Sequence, residues 1–207
     1  MFKYEACVKS LEEALKAEKL EANRVELCDN MIEGGTTPSY GTIALAKEML
    51  NIPVMVMIRP RGGDFTYSEV EFNIMKKEIE LCKHLDIYGV VFGILNKDKT
   101  IDIERVKELV GLAKPMKITF HMAFDEILNK EQAMEELIKI GVDRILTKGG
   151  ASNATEGKEV LKELIKKAGD RIIIVPGGSL TKNNCKDFGE YVKAKELHGT
   201  KIVGRLD

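Results

Sequence analysis

No apolar run in this sequence reaches the about eighteen residues that a membrane-spanning helix needs, so a transmembrane anchor is not expected. An excess of either charge is missing too. The 32 Lys and Arg residues stand against 33 Asp and Glu, a net charge of −1 that gives no bulk attraction to nucleic acid or anionic lipid. The first twenty residues, MFKYEACVKSLEEALKAEKL, carry acids early and have no apolar core of the kind a secretion signal requires. The four cysteines, Cys7, Cys28, Cys82 and Cys185, therefore read as reduced thiols of a cytoplasmic protein. Neither a CxxC loop nor the MxCxxC motif of copper chaperones occurs, and no Ser/Pro-rich linker or low-complexity tract divides the chain. One domain over residues 1–207 is expected.

What is present is alternation. Short strand-like runs fall at Tyr4–Val8, Arg24–Leu27, Pro53–Ile58, Gly89–Phe92, Lys117–Phe120, Arg144–Leu146, Ile172–Val175 and Glu196–His198. Segments of helical period separate them, among them Leu11–Leu20, Ser68–Leu85, Ile103–Ala113, Lys130–Ile140 and Glu156–Ala168. Ser10 with Glu13 marks a capped helix start. Eight strands and about seven helices predict a TIM-like (β/α)8 barrel with a short or missing eighth helix. An open doubly wound sheet fits the alternation equally, but no GxGxxG follows the first strand. LEANRVEL at 20–27 and IGVDRILT at 140–147 echo each other, four strands apart.

In such a barrel the strand C-termini build the active face. There the sequence places Glu5 and Cys7, Glu26 and Cys28, then Arg59, Arg61 and Asp64. Gly93, His121, Gly149-Gly150, Gly177-Gly178 and His198 follow at later strand ends. Side chains alternate along a strand, so Glu5 shares a face with Cys7, and Glu26 with Cys28. The expected pocket is therefore lined by Glu5, Glu26, Arg59, His121 and His198, each drawn from a different strand. Cys82 reads as core, and Cys185 as surface or loop.

The blocks RVELC, EGGTTPSYG, VMIRPRGGDF, GVVFG, TFHMAFD and ELHG resemble the CutC family of copper homeostasis proteins from the first strand to the last. The resemblance implies a cytoplasmic TIM-like barrel, often a dimer or larger oligomer, and a Cu(I) site at the positions of Cys7 and Cys28. Two departures stand out. Met122 follows His121 where family members often carry Arg, and many members extend further beyond the final HG. A second reading is an enzyme acting on a small anionic metabolite. Arg59 and Arg61 would then clamp the anion, with Gly149-Gly150 and Gly177-Gly178 offering backbone N–H groups. Glu5, Glu26 or His121 would act as acid or base. The nine residues after His198 are about half a usual barrel helix, which leaves apolar surface beside strands seven, eight and one for a homodimer partner to cover, unless a loop or the N-terminal segment folds over it.

Overall fold

The computed structural model describes residues 2–206. Its first half runs β1 (Lys3–Val8), α1 (Leu11–Lys19), β2 (Arg24–Leu27), α2 (Tyr40–Met49), β3 (Val54–Met57), α3 (Glu69–His84) and β4 (Gly89–Phe92). The second half runs α4 (Ile103–Ala113), β5 (Lys117–Phe120), α5 (Lys130–Ile140), β6 (Arg144–Thr147), α6 (Lys158–Ala168), β7 (Ile173–Pro176), α7 (Cys185–Val192) and β8 (Glu196–Gly199). The eight parallel strands follow the order β7-β6-β5-β4-β3-β2-β1-β8. Among the described residues β7 and β8 pack side by side without a ladder, so the barrel is nearly closed. No helix among the described residues is long and apolar enough to cross a membrane.

Strand period divides the interior in two. Val25, Leu27, Val54, Val56, Val90, Phe92, Ile118, Phe120 and Ile174 face outward and join the core beneath the helices. The residues between them face the barrel axis, and there Cys7, Cys28, Met55, Met57 and Val91 form a separate small cluster with Met31 against it. Ser10 caps α1 by accepting from Glu13 N–H at 3.2 Å, while the Glu13 carboxylate reaches Lys9 N–H rather than Ser10. A complete capping box starts α3, where Ser68 and Glu71 bond reciprocally.

Two expectations are corrected here. Cys185, read as surface or loop, is the buried first residue of α7. The surface beside β7, β8 and β1 is also not left bare. Thr181, after β7, bridges Lys201, and Ile202, Val203 and Leu206 bury themselves in the main core. The segment then reaches α1, where Gly204 approaches Leu20. Irregular chain covers apolar surface here as a helix would, because burial depends on area removed from water rather than on helical form.

Candidate functional site

The base of the barrel axis is ionic. Glu196 on β8 accepts from Arg24 Nη2 at 2.6 Å and from Arg144 Nε at 2.9 Å. Arg24 Nε donates to Glu5 Oε2 at 2.5 Å, and the other oxygen of Glu5 lies 2.9 Å from His198 Nδ1. All five side chains are buried. This chain of charges ends with His198 Nε2 aimed at Glu26, 3.6 Å from Oε2. Register makes it possible. Cys7 is the Cα partner of Glu26 across β1–β2, and Glu5 is the partner of His198 across β1–β8.

Sulfur collects above this base. Cys7 Sγ lies 4.0 Å from Met31 Sδ, and Cys28 Sγ lies 3.6 Å from Glu26 Oε2. One donor atom each from Cys7, Glu26 and His198 falls within 4.8 Å of the others. The loop bearing Met31 folds close at Gly35, where φ is +92° and a Cβ would come within 3.3 Å of Cys28 Sγ. All four cysteines are free thiols.

Burial and neighbours set the protonation of this group. The Cys28 thiol bonded to Cys7 outweighs burial and, with His198, brings the Cys7 thiol down to about 5. The same bond and burial push Cys28 well above the ordinary thiol range. Burial is the largest influence on Glu5 and would raise it, but Arg24 and His198 prevail and hold it at about 2. Glu26 has no guanidinium to match it, so burial raises it well above the carboxylate range. Burial opposes the charge on His198, yet Glu26, Cys7 and Glu5 together raise it well above an ordinary imidazole. His121 behaves oppositely, since burial and then Arg59 lower it to about 3, leaving a neutral ring.

A cavity of about 280 Å³ opens over these groups at the strand C-termini, lined by Cys7, Glu26, Cys28, Arg59, His121 and His198 with others. Four of the five residues expected at the mouth meet there. Glu5 does not line it, because its side chain lies one level deeper between Arg24 and His198. His121 fits because Gly93 leaves room, a Cβ there falling 2.7 Å from the ring. Its Nδ1 accepts from Ala123 N–H at 3.2 Å, while Nε2 and Glu26 Oε1 are buried without a hydrogen-bond partner among the described residues.

Most of the expected anion ligands are engaged with the protein itself, Arg59 included although it borders the cavity. Arg59 donates to the carbonyls of Glu33, Gly35 and Gly63 at 2.7–3.0 Å and stacks over Phe65. Arg61 points away from the cavity to Glu71, Asp64 and the Thr66 carbonyl. The Gly149 and Gly150 amides donate to Thr147 Oγ1 and Asp125 Oδ1, and Gly177 N–H donates to the Thr147 carbonyl. Of the glycines expected to cradle an anion, Gly178 alone borders the cavity. A larger hollow of about 580 Å³ lies at Gly149-Gly150 and holds none of the barrel-wall groups. Sequence reading missed Arg24, Arg144, Glu196, Met31, Met55 and Met57. The repeated Asn/Asp-Arg step and the Met-x-Met spacing were the available signals.

Fold and wall together define a parallel (β/α)8 barrel with a sulfur- and carboxylate-lined mouth. The chain belongs to the CutC family, which it matches over residues 2–203. It is 46% identical over 197 residues to the copper homeostasis protein cutC homolog of Mus musculus, covering 95% of this chain and 72% of that protein. A CutC family protein of Parabacteroides distasonis is 47% identical over 195 residues, covering 94% of this chain and 80% of its own. A crystal structure from Streptococcus agalactiae that carries the CutC copper homeostasis name superposes with a TM-score of 0.94. It is 37% identical, covering 98% of this chain and all of the other.

Proposed function

We propose that this protein binds Cu(I) in a reducing cytoplasm, through the thiols of Cys7 and Cys28 with the Met31 thioether beside them. The observation that carries this reading is the sulfur cluster of Cys7, Cys28, Met31, Met55 and Met57, of which all but Met55 border the cavity. Cu(I) is soft and favours thiolate and thioether donors. The copper homeostasis names of the relatives point the same way. Cys7 already tends to the thiolate form that a metal requires. Strand register also keeps the pair from closing on itself. Cys28 stands two residues beyond the Cα partner of Cys7, which places the two Cα atoms roughly 8 Å apart from strand spacing and rise. A disulfide needs less than about 7 Å, so the pair suits an intervening ion better than an S–S bond.

Titration of the reduced protein with Cu(I) against a chromophoric chelator tests the reading. The Cys7→Ser/Cys28→Ser double variant is expected to lose the site, and Cys82→Ser/Cys185→Ser to keep it. Unchanged stoichiometry in the first variant would remove the proposal.

A second reading, catalysis on a small anionic metabolite, draws support from the unpartnered His121 Nε2 and Glu26 Oε1 at the same cavity. A buried donor without a partner is costly unless a ligand uses it. Thermal stabilisation by oxalate or inorganic phosphate that disappears in His121→Phe, with Cu(I) stoichiometry intact, would favour this reading.

A further inference from the structure

Glu26 is the carboxylate in the barrel wall that no guanidinium balances. Arg24 spends its contacts on Glu5 and Glu196, and Arg144 Nε is bonded to Glu196. Glu26 Oε2 instead faces His198 Nε2 at 3.6 Å and Cys28 Sγ at the same distance, while Oε1 has no hydrogen-bond partner among the described residues. We propose that Cys7, Glu26 and His198 form a site for a borderline divalent cation, of which Zn2+ is the representative. Two of its three donors, Glu26 and His198, lie outside the all-sulfur cuprous site. It shares Cys7 with that site but does not rest on it.

Three features of the structure support this assignment. The first is spacing. Zinc bonds of roughly 2.0–2.3 Å to nitrogen, oxygen and sulfur place tetrahedral donors roughly 3.3–3.8 Å apart. The His198–Glu26 separation already falls in that range, and all three donors lie within 4.8 Å of one another. The second is orientation. A metal-binding imidazole commonly donates its other N–H to a carboxylate, which fixes the tautomer and aims the ring. His198 Nδ1 has that partner in Glu5, and Glu5 is itself held by Arg24, Glu196 and Arg144 in turn. An imidazole secured this far back leaves Nε2 free to point at Cys7 and Glu26.

The third is charge and access. A divalent ion would satisfy a buried thiolate and carboxylate at once, in place of the protons that they and His198 otherwise hold. The mixed sulfur, oxygen and nitrogen donors suit a borderline ion, whereas Cu(I) prefers the sulfur of Cys28 and Met31. All three donors border the 280 Å³ cavity, so a fourth position opens onto space for water or a small ligand. Three protein donors with one open position is the arrangement of catalytic rather than structural zinc.

The test uses the full-length reduced protein, with Zn2+ titrated against a chromophoric chelator and Co2+ as the spectroscopic probe. One equivalent of Zn2+ is expected, and Co2+ should give a tetrahedral d–d spectrum with a thiolate charge-transfer band. Glu26→Gln and His198→Gln should each lose at least tenfold in Zn2+ affinity while keeping Cu(I) stoichiometry. Cys28→Ser should do the reverse. Glu5→Gln, which touches no metal, should weaken Zn2+ by roughly 10–100-fold through the imidazole it orients. Failure of wild-type protein to bind Zn2+, or a Co2+ spectrum without a thiolate band, would overturn the proposal whatever the variants do. So would Zn2+ binding that survives Glu26→Gln but vanishes in Cys28→Ser, a result that leaves the cuprous reading standing.

Discussion

Arg24 shows how a single side chain fixes the chemistry above it. Its guanidinium grips Glu5 and Glu196 at 2.5 and 2.6 Å with almost no solvent contact, and Glu5 then grips His198. Removing one member of a buried ion network leaves its partners charged and uncompensated, a cost of about 3–5 kcal/mol. Arg24→Met is therefore expected to lower stability by that order in a denaturant titration. A midpoint equal to wild type would show that the network contributes little. The residue was visible in the sequence only as half of an echo. Asn23 and Asp143 hold equivalent places in that echo and do equivalent work, accepting from the backbone N–H of Tyr4 and of Ile118 on the preceding strands. The arginines that follow, Arg24 and Arg144, both reach Glu196. Their convergence could not be read from eight similar residues, because β8 brings Glu196 to them from the far end of the chain.

Between elements, the link from α3 to the mouth runs through one carboxyl. Glu78 on α3 accepts from Thr37 Oγ1 at 2.8 Å, and Thr37 Oγ1 accepts from Arg59 N–H at 2.8 Å. Burial raises Glu78 from 4.5 to about 7, against the smaller opposing effect of Thr37. Between those values the folded protein keeps a proton that the unfolded chain has released. Stability must therefore fall as pH rises from about 4.5 to 7. The full effect is up to about 3 kcal/mol, and solvent contact at this half-buried carboxyl reduces the measured figure. Glu78→Gln should flatten that slope and be the more stable protein at pH 8, as followed by thermal unfolding at several pH values. An unchanged slope would place the titrating group elsewhere. At this scale the cluster after Ile58 also finds its explanation. Arg59 ties together the carbonyls of two loops, and Arg61 braces the start of α3 through Glu71.

Across the whole molecule, exposed apolar side chains lie elsewhere than expected. Ile202, Val203 and Leu206 fill the space beside β7, β8 and β1. Exposed large apolar side chains include Tyr40, Leu45 and Met49 on α2 and Val70 and Ile74 on α3. We propose that a second copy covers the exposed side chains of α2, since two-fold pairing is the commonest closed symmetry. Light scattering at micromolar concentration is expected to give twice the 23.1 kDa of one chain, reverting to one chain in Leu45→Lys/Met49→Lys. A mass of 23.1 kDa for wild type would exclude the pairing.

The sequence by itself determined the alternating strand and helix units from which the barrel is built. Eight short buried strands alternating with capped helices admit few closed arrangements, and each strand expected from Tyr4–Val8 to Glu196–His198 overlaps one in the structure. It also placed Cys7 and Cys28 on neighbouring strand ends, because a period of two fixes which residues share a face. Tertiary structure alone decided depth and partnership. Glu5 and Glu26 look equivalent in the sequence, yet Arg24 claims the first and no guanidinium claims the second. Met31 reaches Cys7 from a single 3-10 turn between β2 and α2 that carries no periodic signal. Charge pairing and loop closure join residues far apart in the chain, and local pattern holds no information about which of them will meet.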